Sequence, residues 1–149
     1  MLKVGDKAPD FTLKDQNQKE TSLDQFKGKN VLIAFYPFDF SPVCTDEFSC
    51  VQKDLEEFND KNTQVLGISV DSHWSHKAFA EKLEISFSLL SDFSKEVCKK
   101  YDTLRKEGFS ERAYFLIDRE GIIKFMKFMP NPGVRMENED LIKELKSIK

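Results

Sequence analysis

Cys44 stands behind two prolines, a serine and four aromatics in "FYPFDFSPVC" and is followed by "TDEFSC". A cysteine thiolate can act as nucleophile, redox centre or metal ligand, and its neighbours decide which. The C-x-x-C spacing of a dithiol is absent, because position 47 is glutamate and the nearest other thiol, Cys50, lies six residues on. Downstream, Phe48, Val51, Leu55 and Phe58 recur at helical spacing, which predicts a helix from Thr45 to about Asn59 with Asp46 and Glu47 in its first turn. Cys44 then lies at a helix N-terminus, where unpaired N–H groups and the positive end of the macrodipole favour thiolate over thiol. The same stripe also admits a plainer reading, in which Cys44 is a small buried hydrophobe.

Three residues before the thiol sharpen the choice. Pro37 ends a strand and has no N–H to donate, Ser41 offers a hydroxyl, and Pro42 fixes φ as the helix begins. Singly, Ser41 reads as a helix cap and Pro37 as a strand terminator. Together they shape a polar notch around a sulfur.

The elements that must position this notch alternate. "NVLIAFYP" (Asn30–Pro37) is an unbroken apolar run, as expected of a strand covered on both faces. After the Cys44 helix come "TQVLGISVD" as a strand, "SHWSHKAFAEKLE" as a helix, "FSLLSD" as a short strand and "SKEVCKKYDTL" as a helix. "RAYFLID" and "GIIKFMKFM", joined through "REG", predict an antiparallel hairpin, "PNPGVR" a turn, and "NEDLIKELKSIK" a closing helix. This is an α/β chain in the thioredoxin-like order, a mixed central sheet with helices on both faces, read as one domain over 1–149.

Composition narrows the function. The chain is 40% hydrophobic and 33% charged, with fourteen phenylalanines, as in a globular protein with an aromatic-rich interior or interface. Acidic and basic residues number 26 and 23, and no block of like charge marks a nucleic-acid or membrane-surface face. No apolar run approaches a membrane span and no signal region opens the chain, so a cytoplasmic protein is expected. Three cysteines without an export signal suit reactive or buried thiols better than a disulfide framework.

Pro37, Ser41 and Cys44 form P-x-x-x-[ST]-x-x-C, and with "VGDKAPDFTL", "VLGISVDS", "LLSD" and "RAYFLIDREGII" the chain resembles a peroxiredoxin almost end to end. The resemblance implies a thiol-dependent peroxidase that needs no cofactor. It assigns the remaining catalytic position to Arg112 over its neighbours Arg105 and Arg119, and a supporting position to Glu47, which would orient the arginine. It implies attack of the Cys44 thiolate on a hydroperoxide to give a sulfenic acid. Full ionisation of a thiol of pKa about 8.5 gains only roughly 30-fold at neutral pH, about 2 kcal/mol, so donors to the breaking O–O bond must supply the rest.

Nothing in the residues decides how the sulfenic acid is resolved. No cysteine-bearing tail follows the last helix, which argues against the typical two-cysteine mechanism. The bacterioferritin-comigratory type often has its second cysteine five residues on, against six here. Cys50, off the apolar stripe, is the resolving candidate; Cys98 reads as core packing; a one-cysteine mechanism, with an external thioredoxin-like or low-molecular-weight thiol, is the rival. Phe38, Phe40 and Trp74 suggest an exposed contact surface, and the family often dimerises there, so a homodimer is expected. Two readings from other classes remain. A thioredoxin-like disulfide oxidoreductase lacks its second thiol, and a peroxide-sensing relay to a partner protein needs the same residues as a peroxidase. His73 and His76 at helical spacing have no C-x-x-C beside them, so they read as solvated or capping rather than as metal ligands.

Overall fold

A computed structural model of the chain describes residues 1–148. It opens with a hairpin of β1 (Thr12–Lys14) and β2 (Glu20–Ser22), strands too short for any period to announce them. A 3₁₀ turn at Leu23–Phe26 leads into β3 (Asn30–Phe35), all six residues of which are buried. Then follow α1 (Pro42–Lys53), α2 (Leu55–Asp60), β4 (Thr63–Ser69), α3 (His73–Leu83), β5 (Ser88–Ser91) and α4 (Glu96–Lys100). The strands β6 (Ala113–Ile117) and β7 (Ile123–Phe128) precede the closing helix α5 (Asn138–Lys146).

One seven-stranded sheet runs β2-β1-β5-β4-β3-β6-β7. β3, β4 and β5 are parallel, while β6 runs antiparallel to β3 and to β7. The mixed sheet and the late hairpin are therefore as the alternation predicts. Successive strand side chains go to opposite faces. On one face Leu32, Ala34, Val65, Leu89, Tyr114 and Leu116 pack with Cys44, Phe48 and Val51 of α1, Phe58 of α2, Phe79 of α3 and Leu141 of α5. On the other, Ile33, Phe35, Ile68, Leu90 and Phe115 pack with Val97 and Cys98 of α4, with Tyr101 and with Leu23. No helix of the described residues is long and apolar enough to cross a membrane.

The helix expected over Thr45–Asn59 starts three residues earlier and is two helices. Pro42 is accommodated at the first helical position, where its missing N–H costs nothing, so Asp46 and Glu47 fall in the second turn rather than the first. The break is at Asp54, where the Asn138 side-chain amide donates to both the Cys50 carbonyl and the Asp54 carboxylate, each at 2.9 Å, docking α5 there. The helix expected in "SKEVCKKYDTL" is confined to α4, bounded by the left-handed residues Lys95 and Asp102.

Candidate active site

Ser41, in extended conformation, is the N-cap of α1: its carbonyl accepts from the Thr45 N–H at 2.9 Å. Its hydroxyl does not cap. Ser41 Oγ is buried and has no hydrogen-bond partner among the described residues. Phe40, just before it, is held at φ 68°, a strained value for a non-glycine residue. Cys44 is the third residue of the helix, fully buried with Phe48 one turn on. Behind them, Gly67 of β4 makes room: a Cβ there would lie 2.9 Å from Leu89 and 3.3 Å from the Phe48 ring.

Arg112 immediately precedes β6 and is only 1% exposed. One terminal nitrogen donates to Cys44 Sγ at 2.8 Å, the other to Glu47 Oε1 at 2.5 Å, and Nε donates to the Pro132 carbonyl at 2.9 Å. The other Glu47 oxygen accepts from the Tyr114 hydroxyl, which in turn accepts from the Met136 N–H. The turn expected in "PNPGVR" thus closes over the guanidinium. The rivals are elsewhere: Arg105 pairs with Glu107 and Glu111, and Arg119 lies exposed in the turn between β6 and β7.

Four of the sequence-nominated residues therefore meet, Cys44, Ser41, Arg112 and Glu47, with Pro37 buried at the end of β3. Glu47 is not a solvated helix glutamate; burial pushes its carboxyl up, against the pull of Arg112 and Tyr114. The Cys44 thiol also differs from expectation. Burial raises it above its ordinary value, and Arg112, the nearby Ser41 hydroxyl and the Phe38 N–H only partly offset this. Position at a helix start does not by itself ionise a sulfur that has lost its water. The thiolate gains from Arg112, and the arrangement keeps donors in place for a transition state.

Cys50 is partly exposed, with Sγ 3.8 Å from a terminal nitrogen of Arg135, which also bridges Asp46 and Glu137. Cys98 is buried in the core of the opposite face, as expected. Tyr114 and Arg135 carry contacts that the motif did not announce; Tyr114 had a signal, since it lies two residues after Arg112 and so faces the same side. His76 is a correction. It is neither solvated nor capping but fully buried, with Nδ1 2.7 Å from Asp39, whereas His73 lies against the Trp74 ring. A helix face packed on the sheet buries every residue that points to it.

A single buried sulfur beside a guanidinium and an unused hydroxyl, at one end of a thioredoxin-like sheet, is the site of a peroxiredoxin-type thiol protein. The sequence profile of the AhpC/TSA family matches residues 4–126, and the chain belongs to that family. It is similar to alkyl hydroperoxide reductase E of Mycobacterium tuberculosis (strain ATCC 25618 / H37Rv), 40% identical over 89% of this chain and 89% of that protein. It is 38% identical to the mitochondrial thioredoxin-dependent peroxide reductase of Drosophila melanogaster, over 94% of this chain but only 64% of that protein's length. The reduced 2-Cys peroxiredoxin of Plasmodium vivax superposes with a TM-score of 0.89 at 33% identity, covering 97% of this chain and 94% of that one.

Proposed function

We propose that the chain reduces hydrogen peroxide and organic hydroperoxides at Cys44, as a thiol-dependent peroxidase. The observation that carries this reading is the buried Arg112 guanidinium donating to the Cys44 sulfur at 2.8 Å, with the Ser41 hydroxyl, which makes no geometrically sound hydrogen bond, buried close beside that sulfur. A buried unpaired hydroxyl is costly, and a hydroperoxide oxygen satisfies it. The Cys44 thiolate attacks the terminal peroxide oxygen; the S–O bond forms, the O–O bond breaks, and the leaving alkoxide or hydroxide takes a proton. Arg112 and Ser41 donate to the oxygens as charge builds there, Glu47 and Tyr114 hold the guanidinium, and Pro37 closes the site without a competing donor. A disulfide oxidoreductase is the weaker reading, since Glu47 fills the second thiol position and is bound to Arg112.

Cys50 is our candidate for resolving the sulfenic acid. Six helical residues rise about 9 Å, beyond the roughly 7 Å that a disulfide allows between Cα atoms, so α1 must lose its first turns and expose Phe48. The alternative is an external reductant, a thioredoxin-like or low-molecular-weight thiol acting directly on Cys44. Support for a homodimer comes from Phe38, Phe40 and Trp74, which are 42%, 48% and 67% exposed around the site.

Cys44→Ser abolishes peroxide consumption; a variant retaining it would end the proposal. Peptide mapping of the wild-type protein after one equivalent of peroxide finds a Cys44–Cys50 link, whereas sulfenic or sulfinic Cys44 with free Cys50 would assign resolution to an external thiol. Sedimentation of the reduced protein at micromolar concentration shows a dimer.

A further inference from the structure

Behind the active-site loop lies a second buried polar cluster. Asp39 sits between exposed Phe38 and Phe40, yet is itself buried. Its N–H donates to Asp71 at 2.8 Å, and its carboxylate accepts from the Tyr36 hydroxyl at 2.6 Å and the Ser75 hydroxyl at 2.8 Å. Nδ1 of His76 lies 2.7 Å from the same carboxylate, and Nε2 lies 3.0 Å from the Leu90 carbonyl. A carbonyl can only accept, and a carboxylate already receiving two hydroxyls is an acceptor toward the third partner. Both ring nitrogens thus face oxygen atoms, with the Tyr36 hydroxyl a further neighbour of Nδ1 at 3.3 Å, and the His76 and Asp39 side chains of the pair are both 0% exposed. The pair ties the loop to α3 and, through Leu90, to β5.

We propose that His76 and Asp39 form a buried ion pair that acts as a positioning device for the peroxide step: His76, acting through Asp39, holds Phe40 in its left-handed conformation and so aims Ser41 and the Phe38 N–H at Cys44. Asp39 lies two residues before Ser41, and the strained Phe40 between them needs an external restraint to persist. Three hydrogen-bond donors on the Asp39 carboxylate, from β3's end and from α3, supply it. A cation bound by Asp39, Asp71 and His76 is a poorer reading of the same atoms, because N–H and O–H groups already engage the carboxylates. The inference rests on the peroxidase reading of Cys44.

The test compares two reactions of Cys44 in the reduced full-length protein, with hydrogen peroxide and with iodoacetamide. Alkylation needs the thiolate but no donors to a leaving oxygen. In His76→Gln and Asp39→Asn the ratio of peroxide to iodoacetamide rates falls on the order of 10- to 100-fold, the scale of an ångström-level misplacement; in Ser75→Ala it falls about threefold. NMR of the wild type shows protons on both ring nitrogens of His76, and Asp39→Asn loses the Nδ1 proton signal. A folded His76→Gln protein with the wild-type ratio, or a singly protonated His76 ring in the wild type, overturns the proposal. Should both larger substitutions prevent folding, an unchanged ratio in Ser75→Ala overturns it. Peroxide consumption that survives Cys44→Ser would instead remove the peroxidase reading and leave the NMR result on the ion pair standing.

Discussion

Cys44 and Cys98 occupy equivalent local positions on opposite faces of the sheet. Each is the third residue of a helix, and each is 0% exposed. Their partners are of opposite charge. Cys44 receives a hydrogen bond from the Arg112 guanidinium and has the unpaired Ser41 hydroxyl nearby, whereas Cys98 faces the Asp92 carboxylate, which accepts the Val97 and Cys98 N–H groups at 3.2 and 2.7 Å. Asp92 thus takes up the donors that a helix start would offer a thiolate. Burial and then the Asp92 charge push the Cys98 thiol up to about 12, while at Cys44 the burial effect is opposed by Arg112. Burial and helix position are common to both; the facing charge separates the thiol proposed to react from one expected to be inert.

The contrast breaks most sharply at Arg112. Its guanidinium is the largest influence lowering the Cys44 pKa, so Arg112→Met moves the Cys44 titration further up, and the thiolate fraction at a given pH falls. The second-order rate with peroxide falls by more than that fraction, by roughly 100- to 1,000-fold in all, because donation to the leaving oxygen is lost as well. Thiolate absorbance against pH, set beside stopped-flow rates, measures both; equal losses would confine Arg112 to thiolate stabilisation.

A smaller effect is expected at Gly67, which touches the Cys44 face through Phe48. Gly67→Ala drives a methyl into Leu89 and Phe48, costs about 1–3 kcal/mol by overpacking, and slows the peroxide reaction several-fold by shifting α1. Chemical denaturation and the peroxide rate check the two parts. The smallest effect belongs to Asp92→Asn. Removing the carboxylate removes repulsion of a thiolate, so the Cys98 pKa falls, yet burial keeps it above the ordinary value. In a protein with Cys44 and Cys50 both changed to serine, alkylation of Cys98 rises on the order of tenfold at most. A larger rise would mean that charge alone, without burial, sets the difference between the two thiols.

Much of the site was legible in one dimension because it is local. Pro37, Ser41, Pro42 and Cys44 lie within one strand-to-helix connection, and the apolar run of β3 and the stripe of α1 carry their periods in a few residues. Arg112 was reached through the peroxiredoxin resemblance, since nothing in its own neighbourhood separates it from Arg105 and Arg119. The remaining features depend on residues far apart in the chain. Arg112 meets Cys44 across 68 positions because β3 and β6 are neighbours in the sheet, and His76 meets Asp39 across 37 because α3 packs over the end of β3. Only tertiary packing removes water from Cys44, Glu47 and His76; burial displaces the titration of Cys44 and Glu47, and the same packing brings His76 to Asp39. Sequence alone determined which atoms could do the chemistry and the order of the elements that carry them; the fold decided which charge faces which sulfur, because electrostatic energy depends on distance and dielectric and neither is written along the chain.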